Sequence, residues 1–383
     1  MIKFKAYIRK KWKVAVPVFL IGISLLLNLT GWMSSAFCNG YVKYIFPVWV
    51  ATYGRLTGIF PFSAGEIMLY LAVFLLALFI LWAFVRLLFC RLLPKRESRL
   101  FKGAGTVLFW IFGIVCVIMT LNCFLLYHVS PIGERYAIGA NSKEQYGSME
   151  IAALRDYVVE QANELAMVMK RDETGNLLYE GDMKQEAKDQ MRRLSSSYAD
   201  LSGYYPDPKP LKTSEFFSQQ YIMGYYFPFS MEANYNDIMC EINMPSTLCH
   251  ELSHLKGFIR EDEANFIGYL ACVDSKDDFF RYSAYLSVIN YLDRDFLKAI
   301  GNSGKEYLVH PAISEQVVKD NRFLSKETWE MVEENAIIDT EIVKSASDTF
   351  TETTLVLNGV EDGKISYSRV VELLLKYYDG ILY

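Results

Sequence analysis

The sequence predicts an α-rich, α+β soluble domain that follows a three-helix membrane region. Three observations predict it: long apolar runs confined to the first third of the chain, a reversal of charge after them, and a helical apolar period through much of the polar remainder. Residues 1–127 carry 14 Lys/Arg against only Glu66 and Glu97, whereas the other 256 residues carry 25 Lys/Arg against 42 Asp/Glu. A basic apolar part joined to an acidic polar part is the pattern of a membrane anchor, residues 1–128, bearing a soluble domain, residues 129–383. The basic residues flank apolar runs and form no patch on the polar part, which argues against a nucleic-acid partner.

A helix needs about 20 apolar residues to cross a hydrocarbon core. Residues 14–33, 67–89 and 105–127 meet that length and hold no Asp, Glu or Lys through their middles. The first run reads as a span and not as a signal peptide, because no convincing small-x-small cleavage site precedes the next polar stretch. Lys3, Lys5, Arg9, Lys10, Lys11 and Lys13 precede it, and Arg86, Arg91, Lys95, Arg96, Arg99 and Lys102 separate the second and third runs. Only Lys43 and Arg55 lie between the first and second. The positive-inside rule therefore puts the N-terminus in the cytoplasm and everything after Tyr127 outside it, with the lipid bilayer as the first partner. Residues 36–63 carry Tyr41, Tyr44, Phe46, Trp49, Tyr53, Phe60 and Phe62, which suits an interfacial segment closing the bundle more than a substrate-entry element.

In the polar part, Ile151, Leu154, Val158 and Leu165 recur at helical spacing between Ser148 and Arg193, with a break at Thr174-Gly175-Asn176. Residues 203–243 read as loops with short strands, and Asn243-Met244-Pro245 as a helix start, Asn capping and Pro in the first turn. The tail after Tyr367 carries a helical stripe of Val370, Val371, Leu374 and Leu375 that suits packing on the domain. The seven cysteines form no CxxC pair and are read as reduced, with one disulfide among Cys240, Cys249 and Cys272 left open.

The helix after Asn243 carries His250-Glu251-Leu252-Ser253-His254. Residues four apart share a helix face, so both imidazoles can meet one ion. Glu251 then stands where it can accept a proton from water beside that ion, as a general base. The bare motif is only moderately specific, since its residues are common on solvated helix faces. Two features strengthen it: the chain has only four histidines, two of them here, and Gly257 can break the helix before Arg260-Glu261-Asp262-Glu263-Ala264-Asn265 opens another. Catalytic zinc takes three protein ligands and keeps one position open. The third ligand is assigned to Glu261, with Glu263 as runner-up and Asn265 as a group that could hydrogen-bond a ligand.

Over nearly its whole length the chain resembles a bacterial three-span membrane family catalogued as domain of unknown function 3810, which carries an HExxH motif. The stretches that carry the resemblance are Pro61–Glu66, Pro228–Asn234, His250–Asn265, Arg281–Ser283, Asn358–Gly363 and Ser366–Arg369. The run from Glu261 to Asn265 is also similar to the E-x-x-A-D signature of gluzincin membrane peptidases, with Asn265 in place of the aspartate and only six residues between His254 and Glu261. Gly257 matches the turn of the metzincin HExxHxxG motif, which returns a nearby third ligand to the metal. These likenesses imply a zincin-like domain.

Among other residues, Tyr282 is the candidate oxyanion stabiliser, although packing is the commoner role for it and for Tyr285. Phe227 to Asn234 is the candidate edge strand for an extended substrate, Glu232 a structural acid, His128 an interfacial ring and His310 a surface or capping one. Cys249 points about 100° away from His250 around the helix and is not counted as a ligand. The reading is a membrane-anchored zinc metallohydrolase acting on a peptide or protein, with Zn2+ on His250, His254 and Glu261. A zinc-binding sensor or scaffold without turnover, and a hydrolase of cell-wall peptides, are the two rival readings.

Overall fold

The polar part of the chain packs directly onto the ends of its long apolar helices. The computed structural model describes residues 2–89, 95–139, 143, 145–360 and 369–383. Arg91 and the tail motif from Glu361 to Ser368 lie outside these residues, as do the side chains of Lys3, Lys5, Arg9, Lys10, Lys95 and Arg96.

Helices α1 (Ile2–Met33), α2 (Ser35–Tyr44), α3 (Phe46–Thr57), α4 (Ala64–Leu88) and α5 (Lys95–Met119) come first. Of these, α1, α4 and α5 with its continuation to Tyr127 are long and apolar enough to cross a membrane, over Lys11–Met33, Ala64–Leu88 and Arg99–Tyr127. Trp12 meets Trp110 edge-on at 5.4 Å, and Gly113 lies close against Pro17, which joins α1 to α5. The helix widens into a π turn at Thr120–Phe124. There the backbone carbonyl of Asn122 accepts from the Tyr226 hydroxyl and its side-chain amide donates to Pro228 O, both contacts reaching into the polar part.

The amphipathic pair α2 and α3 forms a bracket. Cys38, Tyr41, Val42, Phe46 and Val50 are buried in the same core as the polar part, while Tyr44, Val48 and Leu56 are exposed. That core continues through α6 (Ser148–Val168) and α7 (Met183–Leu194), which a short turn around Gly175 separates, as the break at 174–176 predicts. Leu154, Val158 and Leu165 are buried and Ile151 is half-buried.

A three-stranded sheet follows, built from β1 (Lys209–Pro210), β2 (Gly224–Phe227) and β3 (Glu232–Tyr235), in the order β1-β3-β2. β1 runs parallel to β3, and β2 antiparallel to it with Gly224 opposite Tyr235 and Phe227 opposite Glu232. The segment Phe227–Asn234, expected as one edge strand, instead ends β2, turns through residues 228–231 and enters the central strand β3, so the edges are β1 and β2. A hairpin wins because each of its arms pairs more backbone groups than a lone strand would.

The sheet is bolted to the end of α4. Glu232, expected as structural, accepts from the Ala64 and Gly65 amides at 3.2 and 2.7 Å and pairs with buried Lys209, so it satisfies open N–H groups of the helix start. In the reverse direction Glu66 accepts from the Lys212 and Thr213 amides, both at 2.8 Å.

The remaining large helices are α8 (Met244–His254), α9 (Glu261–Val273), α10 (Asp278–Ala299), α11 (Thr340–Leu357) and α12 (Val370–Tyr378). α8, α9 and α10 pack on one another, and α12 closes them with Val370, Val371, Leu374 and Leu375 buried. Pro245 sits in the first turn of α8 and Asn243 at its N-cap, as expected, but the Asn243 side chain makes no capping hydrogen bond: its amide donates instead to Arg322 O and Phe323 O. The sulfurs of buried Cys249 and Cys272 stand 3.7 Å apart without a disulfide.

Candidate metal centre

α8 ends at His254, the last residue of its motif, because the chain turns back on itself there. Gly257 takes a φ of +87°, and Phe258 N donates across it to Ser253 O, the left-handed glycine closure of a helix end. No side chain fits there, since a Cβ would stand 2.6 Å from Val42. The turn brings the first residue of α9 against the motif face of α8.

Three residues converge as a result. A ligand atom from each of His250, His254 and Glu261 lies within 4.8 Å of the others. His250 Nε2 is 3.1 Å from a Glu261 carboxylate oxygen. The two imidazole planes cross at 88° with their centres 4.8 Å apart, so both rings face one point. The far nitrogens are occupied: His250 Nδ1 donates to Asn265 Oδ1 at 2.9 Å, and His254 Nδ1 donates to Phe258 O at 2.7 Å. With Nδ1 so engaged, Nε2 of each ring is the nitrogen left to face the common point.

The electrostatics are those of a cation site. Burial opposes a charge on His250, yet the hydrogen bond and charge of Glu261 outweigh it and raise that imidazole to about 9, a proton taking the place between them. Burial and the neighbouring His250 lower His254 to about 4. Burial raises the Glu251 carboxyl to about 8. Glu251 is 4 % exposed, with Oε1 3.9 Å from His250 Nε2, and among the described residues its Oε2 has no hydrogen-bond partner. A buried carboxylate oxygen without a partner, beside two imidazoles and a second carboxylate, fits a site that receives water or substrate.

The groups sit in a cleft of about 820 Å³. β2 forms one wall and approaches closely: a Cβ on Gly224 would meet Glu251 Oε1 at 2.5 Å, so only glycine admits this strand beside the carboxylate. Met119, Cys123, Phe124 and Tyr127 at the end of the third apolar helix form another wall, and residues of α10 and α11 complete it.

Glu263 is turned away. Its carboxylate accepts from the Ile132 amide at 2.8 Å and faces Arg135 and Arg260 at 3.7 and 3.9 Å. Tyr282 is not brought to the site either: it is fully buried and its hydroxyl donates to Asp320 at 2.8 Å. Tyr285 meets Tyr157, hydroxyl to hydroxyl, at 3.2 Å. The tyrosine of α10 that lines the cleft is Tyr291, whose hydroxyl is raised by burial and by the charge of Glu261. Tyr291 lies nine positions after Tyr282, about 900° of turn, so they occupy opposite faces. Tyr282 and Tyr285 are the expected residues of this helix, but its cleft-lining polar face is Ser287, Asn290, Tyr291 and Arg294, which the sequence signals only by their three- and four-residue spacing. Cys249 faces Cys272 and not the cleft, His128 packs on Trp32 at 4.5 Å, and His310 is 2.6 Å from Asp156.

Compared with known proteins, the chain matches the family described as "Protein of unknown function (DUF3810)" over residues 41–375. No curated protein and no solved structure matches it.

Proposed function

We propose that this chain, which belongs to the DUF3810 family, is a membrane-anchored, zinc-dependent metallohydrolase that cleaves peptide bonds. The observation that carries the reading is the unpartnered Oε2 of buried Glu251 beside the converging His250, His254 and Glu261. Two neutral imidazoles and one carboxylate make a donor set that suits zinc and leaves a fourth position open. Zinc held by these residues would acidify water at that position and polarise a substrate carbonyl.

The remaining roles belong to the chain's own residues. Glu251 takes the proton of the attacking water and returns it to the leaving amine. Tyr291, on the cleft side of α10, donates to the oxygen that gains charge as the carbonyl is attacked. β2 has a free edge toward the cleft among the described residues, so an extended peptide can add to the sheet there and lie across Glu251. The Lys/Arg distribution of the flanks puts this face outside the cytoplasm.

The test is elemental analysis and peptide turnover on the full chain in detergent. We expect about one zinc per chain, retained in Glu251→Gln and lost in His250→Ala, and peptide-library cleavage that falls by about 10²–10⁴-fold in Glu251→Gln. Metal-free folded protein, or cleavage unchanged by Glu251→Gln, would sink the proposal. Zinc without turnover of any peptide would favour the sensor reading.

A further inference from the structure

We infer that the substrate of this cleft is a polypeptide tethered in the same bilayer, presented as the extended segment that leaves the membrane beside the third span. The inference rests on the peptidase reading above and adds the substrate class.

Four placements carry it. First, the cleft wall includes the third span itself, from Met119 to Tyr127. At 1.5 Å per residue that wall is about 12 Å tall. Second, the exposed apolar surface of this helix ends at Val115, and burial in the polar part begins at Thr120, so the cleft starts about one turn beyond the last side chain open to lipid. Third, the sheet that offers the β2 edge is seated on the first turn of the second span through Glu66, Glu232 and the contact of the Tyr70 hydroxyl with Thr213. Fourth, α11 lines the cleft with Phe350 and Leu355, leaves Phe350 70 % and Leu357 72 % exposed, and is followed by Gly359 against the Trp32 ring at the end of the first span. Apolar side chains open to the surroundings at this level suit lipid contact.

A chain emerging from the bilayer would thus meet the cleft within about 12 Å, a length that roughly four extended residues cover. Confinement to the membrane also raises its effective concentration at the site. A backbone is required, because the edge of β2 recognises an extended chain and offers a lipid headgroup nothing comparable.

The experiment uses the full chain, zinc-loaded, in vesicles of phosphatidylethanolamine and phosphatidylglycerol. One peptide sequence is supplied either free or behind a single hydrophobic transmembrane helix, with the peptide placed directly after the helix or after a long polar spacer. Expected are at least tenfold faster cleavage of the short-spacer form than of the free peptide, and cuts at a fixed short distance from the bilayer. Equal rates, or cut positions that follow the peptide sequence at every spacer length, would overturn the inference. A second arm needs no turnover. The Glu251→Gln protein in nanodiscs should retain the tethered peptide against a tenfold excess of the free one, and displacement by the free peptide overturns the inference independently. Selective retention without cleavage by the unmodified protein would leave the inference standing and remove the peptidase reading instead.

Discussion

Two glutamates two positions apart at the start of α9 do opposite work. Glu261 faces the cleft, 3.1 Å from a histidine nitrogen, on the side where a second imidazole and an unpartnered carboxylate oxygen gather. Glu263 lies about 200° further around the helix and is 5 % exposed, committed to the Ile132 amide and to two arginines. Burial pushes its carboxyl up to about 7 even so, the two arginines pulling it back. An acid faces the cleft or serves as an anchor according to which face of one turn it occupies, and its residue type does not decide between them.

The sharpest way to break this comparison is to remove each acid in turn. Glu261→Ala should lose the bound zinc, from about one per chain to background, with the fold retained. Glu263→Ala should keep the zinc and lower stability by about 1–3 kcal/mol, because the buried Ile132 amide loses its acceptor and Arg135 the charge that faces it. Elemental analysis paired with thermal unfolding of both variants reads the two effects separately. Zinc lost from the Glu263 variant but kept by the Glu261 variant would reverse the assignment.

The same contrast recurs along α10, with a smaller effect expected. Tyr291→Phe should leave zinc content alone and lower kcat by about 10²-fold, the cost of one donor to a developing oxyanion. Tyr282→Phe should leave kcat unchanged and cost about 1.5–3 kcal/mol of stability, since it removes a hydrogen bond to the Asp320 carboxylate. Steady-state kinetics of the two variants on one peptide separate the faces. A larger loss of kcat in Tyr282→Phe would mean that α10 presents its other side to the substrate.

The two comparisons also mark how far the sequence could be read. The motif, the helix break and Asn265 were legible because they lie within sixteen residues, and helical period with one left-handed glycine fixes their mutual placement. The three apolar helices were legible from length and composition alone, and the matched family covers the segments that carried the resemblance outside Pro61–Glu66 as well as that one. The phase of the first turn of α9 was not legible, because whether Glu261 or Glu263 faces α8 depends on where the Gly257 turn releases the chain. Tyr291, Gly224 and the wall from Met119 to Tyr127 were out of reach for a different reason. Each joins the site from more than twenty residues away, through packing that local periodicity does not encode. The distance in sequence between the third span and the motif concealed that they are neighbours in space.

The finest test of the proposed ligand face concerns the residue that would hold a ligand without touching the ion. Asn265 lies one turn after Glu261, and its side-chain oxygen accepts from His250 Nδ1, which fixes both the ring orientation and the nitrogen left for metal. Asn265→Ala removes that acceptor while leaving all three donors, so zinc should still bind, about 10–100-fold more weakly. Asn265→Asp keeps an acceptor at the same place and should restore most of that affinity, whereas Asn265→Leu, similar in size but unable to accept, should not. Titration of each variant with a chelator of known zinc affinity measures the difference. Equal affinities in all four proteins would show that the packing of α9 alone orients His250, and that the hydrogen bond seen there is incidental to metal binding.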